Sequence, residues 1–158
     1  MSSLFQVTFT QPESGWIGLR LSGPDPVFED SFSHIYPTLE QLCGGLCDVA
    51  AGASARRVTF LLEPAELELG ISLIDGGDAR LTVDLYSDRR RYPGAQTSRV
   101  FEFSGPRSAI VLPFWRALHK LEASLSASDF ERAWRKPFPQ MAMASLTRII
   151  NAESAQAS

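Results

Sequence analysis

Cys43 and Cys47 stand four residues apart around Gly44-Gly45 in the stretch QLCGGLCDVA, and they are the only thiols of the chain. Such a pair can be a redox dithiol, half of a metal site, or two small apolar side chains. A redox dithiol uses C-x-x-C at the end of a strand, whereas the spacing here is C-x-x-x-C. A structural zinc takes about four ligands. The other soft candidates, His34 and His119, have no partner near them in sequence. Leu39, Leu42, Cys43, Leu46, Cys47, Val49 and Ala50 fall on one stripe at helical period. Both thiols are therefore expected inside a packed helix, reduced and acting as small hydrophobes. No metal and no other cofactor is expected.

Two further places could do chemistry. His34 lies in a loop beside Asp30, Ser33 and Tyr36, a mixture that can support proton transfer. One histidine without a fixed partner is weak ground for catalysis, so a capping or solvated role is expected. His119, next to Lys120, reads as a surface residue. The basic run Arg89-Arg90-Arg91 could grip a phosphate or an acidic partner. No aromatic platform is interleaved with it, and the domain is acidic, so a solvated loop is expected there. Phosphate-binding glycine loops, the G-x-S-x-G elbow and the H-E-x-x-H helix are all absent. No catalytic residue is assigned, and the chain reads as non-enzymatic.

The elements that would carry these residues follow from periodicity. LFQVTFT and WIGLRLSG alternate apolar and polar, as half-buried strands do, and QPESG between them makes a hairpin turn. A long polar stretch runs from Ser22 to Tyr36. PTLEQLCGGLCDVAAG reads as a helix, with Pro37 in the first turn and Gly52 as the stop. Gly44 and Gly45 are expected to let a neighbouring element approach closely. RRVTFLLE, ELELGISLID, ARLTVDLY and SRVFEFS are strands, the middle two joined at Asp75-Gly76-Gly77-Asp78. Pro113 belongs in a first turn, so the next helix is expected to begin near Val111. Ser128-Asp129-Phe130-Glu131 reads as a capping box before a short helix with Phe130 and Trp134. A last helix carries Ala142, Leu146, Ile149 and Ile150. Residues 1–150 form a single α+β domain on this reading, and 151–158 a disordered tail. The expected fold is two layers: a mainly antiparallel sheet of about six strands with helices on one face, in the order β-β-α-β-β-β-β-α-α-α.

Composition sets the bounds. The chain has 158 residues, 44% of them hydrophobic and 21% charged, with a net charge of −3. That suits a globular core and offers nothing overall to nucleic acid or an anionic membrane. The start MSSLFQVTFT has no basic n-region and no long apolar core, so no signal peptide is expected and a cytoplasmic location is.

Parity also predicts an outer sheet face bearing Trp16, Arg20, Glu66, Glu68, Arg80, Asp84, Tyr86 and Glu102. Four acids meet two arginines there, beside two large aromatics. Tryptophan, tyrosine and arginine are the residues that anchor protein interfaces.

In layout the chain resembles small uncharacterised bacterial α+β proteins, some found beside secreted toxins and read as immunity proteins. WIGLRLSG, RRVTFLLEP and the late FERAWRKPFP carry the resemblance. It implies no catalytic residues. The expected function is a cytosolic protein-binding module, with neutralisation of a cognate toxin as its sharpest form. The partner is then another protein, with no nucleic acid and no membrane involved, and oligomeric state is left open. The alternatives are a small-ligand domain with an apolar pocket lined by Phe101, Phe103 and Phe114, and a chaperone for secreted effectors.

Overall fold

Alternating sequence becomes paired strand in the computed structural model, which describes residues 4–24, 26–53, 56–91 and 93–157. The chain runs β1 (Gln6–Phe9), β2 (Trp16–Ser22), β3 (Phe28–Ser33), α1 (Thr38–Ala50), β4 (Arg56–Leu61), β5 (Glu66–Leu73), β6 (Asp78–Tyr86), β7 (Thr97–Pro106), α2 (Ser108–Ala123), α3 (Ala127–Trp134) and α4 (Gln140–Ala157). The class is α+β and every strand pair is antiparallel. The strands do not make one sheet of about six. They make two, a three-stranded β1-β2-β3 and a four-stranded β4-β5-β6-β7. Among the described residues no helix is long and apolar enough to cross a membrane.

The strand missing from the expected order is β3, in the stretch read as polar loop. It is an edge strand, hydrogen-bonded among the described strands only to β2. Of its six residues only Phe28 and Phe32 are apolar. Of its polar residues Glu29 is held across the ladder, standing opposite Arg20 and pairing with it at 3.3 Å. Such a strand is stabilised by its neighbour and leaves little apolar alternation to read.

Parity places the inner faces correctly. Ile17, Leu19 and Leu21 of β2 are buried, as are Leu67, Leu69 and Ile71 of β5 and Leu81 and Val83 of β6. The Asp75–Gly77 turn between β5 and β6 holds Gly76 at φ 81° and Gly77 at φ 85°, the left-handed region glycine accepts without strain. The helices close over the inner faces. Leu39, Leu42, Cys43, Leu46 and Val49 of α1, Phe114 and Leu118 of α2, and Leu146 of α4 share one buried cluster with both sheets.

Aromatic rings join the two sheets. Phe32 of β3 meets Phe60 of β4 edge to face at 4.9 Å, and meets Trp134 of α3 at 5.6 Å. On the other flank Phe5 lies 5.8 Å from Phe101, 5.3 Å from Phe103 and 5.5 Å from Phe114. Phe5 thus occupies the space between sheet and helix where an apolar pocket lined by those three rings would lie. Each buried ring contributes roughly 1.5–3 kcal/mol of transfer free energy.

The exposed edge of β4 is capped by α1. The Thr38 hydroxyl donates to the Thr59 carbonyl at 2.7 Å, and the Gln41 amide oxygen accepts from the Thr59 N–H at 3.1 Å. An open strand edge invites pairing with another chain, and these two side chains occupy the hydrogen-bonding groups of Thr59 on that edge.

Helix termini differ in detail from expectation. α2 begins at Ser108, so Pro113 lies inside it rather than in its first turn. The cap of α3 is Ser126, whose hydroxyl accepts from the Asp129 N–H at 3.2 Å, and not Ser128. Both serines have an acidic residue three positions on, Asp129 and Glu131, and the earlier box took the helix start. α4 continues to Ala157 through the stretch expected to be disordered, where Ala152, Ala155 and Ala157 favour helix. Gly45 is buried in α1, but a Cβ on Gly44 would meet nothing within 4 Å, so no close approach explains Gly44.

Candidate functional site

The outer face of the four-stranded sheet collects most of the residues singled out by parity. Glu66 and Glu68 project from β5, Arg80, Asp84 and Tyr86 from β6, and Glu102 from β7. Register sets their neighbours: Glu66 stands opposite Tyr86, Glu68 opposite Asp84, and Asp84 opposite Arg99. Like charges directly across a ladder repel, so Glu68 beside Asp84 requires cations. Arg57 of β4 reaches Glu68 at 3.3 Å, and Arg99 of β7 reaches Asp84 at 2.6 Å. Arg80 lies 3.6 Å from Glu102, which Arg99 also approaches at 3.7 Å. The face is a lattice of alternating charge in which Glu68, Asp84 and Glu102 each meet a guanidinium. The Asp84 hydrogen bond holds the Arg99 guanidinium above its ordinary pKa.

The basic loop after β6 closes one end of this lattice. Arg91 turns back over the sheet from a left-handed backbone conformation, φ 49°. Its guanidinium donates to Glu66, reaches Glu68 at 2.9 Å, and covers the Tyr86 ring 3.7 Å from the centroid. Glu66 is only 6% exposed as a result. Its second oxygen accepts from the Tyr36 hydroxyl at 2.8 Å, which ties the loop before α1 to the same cluster. Burial first, then the Glu66 hydrogen bond and charge, push the Tyr36 phenol above its ordinary range. The three arginines of the loop therefore differ in role. Arg91 is a latch. Arg90 folds onto Asp88 at 3.0 Å, and its hydrogen bonds hold that carboxyl down to about 2. The Arg89 backbone N–H donates to the Pro64 carbonyl at 2.9 Å.

Trp16 and Arg20 do not share this face. They lie on the outer face of the three-stranded sheet, so the single face expected from parity is two faces on two sheets. Alternation tells which way a side chain points and says nothing of which sheet its strand joins. Nor is Tyr86 an open aromatic anchor, because Arg91 lies on it.

Three contributors escaped sequence reasoning. Arg57 sits at the start of a strand read only for its apolar residues. Tyr36 arrives from a loop, with no period to place it. Arg99 is turned outward by a β-bulge: the register shifts between Val83 and Asp84, setting Arg99 opposite Asp84 and leaving Val100 as the extra residue. The adjacent apolar pair Val100-Phe101 breaks strict alternation and is the trace of that bulge in the sequence.

The other candidates are structural. His34 Nδ1 lies 3.3 Å from the Gly15 carbonyl, and the ring packs edge-on against Trp134. Tyr36, its neighbour in the loop, points instead to Glu66. His119 is exposed and stacks on Trp115 at 5.5 Å. Cys43 and Cys47 are unpaired thiols on the buried stripe of α1, and burial pushes the Cys43 thiol up to about 12. Among the described residues no three His, Cys, Asp or Glu side chains are placed to hold a metal. No protein-family model, no curated protein and no solved structure matches the chain.

Proposed function

We propose that this protein binds another protein without catalysing a reaction, through the outer face of its four-stranded sheet. One observation carries the reading: Arg57, Arg80, Arg91 and Arg99 are held in place across that face by Glu66, Glu68, Asp84 and Glu102, yet remain accessible. Arg57 is 76% exposed along its side chain and Arg80 50%. An ordered guanidinium loses less entropy on binding and presents a rigid fork to carbonyls and carboxylates. The partner that suits such a face carries its own alternating charges, which fix register more than they add affinity. Toxin neutralisation is the specific form that the layout resemblance favours.

The test uses wild type and Arg80→Glu/Arg99→Glu as bait in native extract, with thermal melts run alongside. The expected result is a discrete partner retained by wild type and lost by the double variant, with both folded. The same partner on both baits would exclude this face. Co-expression with a toxin encoded beside the gene tests the specific form, and protection of growth that the double variant loses would support it.

A further inference from the structure

The four-stranded sheet has two edges, and they are finished differently. α1 covers β4 at Thr59 through Thr38 and Gln41. On the other side β7 ends the sheet, hydrogen-bonded among the described strands only to β6, and Thr97, Ser98, Arg99 and Ser104 along it are exposed. In an antiparallel ladder every second residue turns its N–H and C=O away from the neighbouring strand. The Ser87 N–H donates to the Gln96 carbonyl at 2.9 Å, and the Arg107 N–H to the Gly77 carbonyl at 3.4 Å, which fixes that phase at both ends of the β6–β7 ladder. Counting inward from each end leaves Thr97, Arg99, Glu102 and Ser104 with their backbone groups turned away from β6. The bulge at Val100 falls midway along this edge, between Arg99 and Glu102.

We propose that this edge pairs with β7 of a second copy of the chain, antiparallel, about a two-fold axis between Val100 and Phe101. In that register Arg99 stands opposite Glu102 of the second copy, and Thr97 opposite its Ser104. The two-fold axis repeats both pairs, as in any isologous contact. Every residue with outward backbone groups is then matched to another, and no other antiparallel register matches them all. Bulge meets bulge, so the irregularity that would spoil pairing with a regular strand is shared by both partners. Charges and bulges ordinarily guard an edge against other chains. Here the charges are in self-complementary order: opposite charges directly across a ladder are favourable and like charges are not. Arg99 and Glu102 both lie on the outer face, so they meet as neighbours across the new ladder. The contact joins two four-stranded sheets into one. It needs the purified chain alone, so it stands or falls apart from the partner proposed above.

The experiment is sedimentation velocity of the purified full chain from micromolar to millimolar concentration, with thermal melts of every variant. An edge contact buries less than the roughly 1,600 Å² of a standard interface, so a concentration-dependent dimer is expected. Arg99→Glu and Glu102→Arg each set like charges opposite one another at both symmetric positions. Each alone should weaken association about tenfold. An equimolar mixture of the two sets glutamate opposite arginine at both positions and should restore association to the wild-type level. Ser104→Pro removes an outward N–H and leaves the ladder to β6 intact, as an edge strand tolerates. It should abolish the dimer, and it decides the matter even if Arg99→Glu fails to fold. A wild-type monomer at every concentration would overturn the proposal. So would a mixture of folded variants that stays monomeric, or a dimer unchanged in Ser104→Pro.

Discussion

At the scale of single residues, the most consequential side chain is Glu66, a carboxylate almost wholly covered by Arg91 and Tyr36. Removing one partner of a covered pair leaves the other without compensation, which costs more than the pair contributes. Arg91→Ala should therefore destabilise the fold by about 2 kcal/mol, discounted because a third of the arginine side chain meets water. Urea unfolding of Arg91→Ala and of Arg91→Ala/Glu66→Gln measures it. The double variant should recover part of the loss, and equal midpoints for the two would show that Glu66 is solvated after all. Tyr36 supplies a pH signature. Its folded pKa lies above the ordinary 10.0, so its contribution is complete below pH 10 and is lost as pH rises through the raised value. Tyr36→Phe should flatten the fall in stability above about pH 10, and parallel curves would assign that fall to another group. The acids of this cluster were legible in the sequence because they alternate with leucines. Tyr36 was not, because a loop has no period, and Arg99 was not, because a bulge resets the period.

At the scale of elements, α1 does two jobs that its sequence states unequally. Its apolar stripe was plain, and with it the placement of both cysteines. The burial that raises the Cys43 thiol also closes it to reagents, since the thiolate is the reactive form. Cys43 should stay unmodified by a disulfide reagent at pH 8 until urea unfolds the chain, with the half-buried Cys47 reacting first. Rapid labelling of both in native conditions would mean that α1 opens readily. The second job, capping the edge of β4 at Thr59, was hidden in the polar residues Thr38 and Gln41, which are equally at home at a solvated helix start. Thr38 is fully buried and its hydroxyl serves only Thr59 among the contacts described. Thr38→Val keeps the shape and strands a carbonyl, for a loss of about 1–3 kcal/mol. A thermal melt within a degree of wild type would show that the edge is satisfied some other way. The miss at β3 has the same root as Thr38. Both are polar segments whose place is set by a partner distant in sequence, and local pattern carries no record of that partner.

At the scale of the whole molecule, face assignment succeeded and sheet assignment failed, for a reason that lies in the join between sheets. Among the described residues no backbone ladder links β3 to β4, and the layers are joined instead by apolar contacts: Phe32 with Phe60 and Trp134, Phe5 with Phe101 and Phe103, and the core they share under the helices. A join made of rings is non-directional, and its strength depends on area rather than register. Backbone amides keep a record of such a division. If the three-stranded layer can lift away while the four-stranded layer persists, amides of β2 such as Leu19 and Leu21 should exchange with solvent through a partial opening, at a lower free energy than Leu69 and Val83. Phe32→Ala should widen the interval between the two groups, and identical exchange free energies throughout would show a single cooperative unit. With the interval present, the layer that carries Trp16 and Gly18 is a hinged leaf, its angle to the rest of the protein set by non-directional apolar contacts and open to adjustment by whatever settles against it.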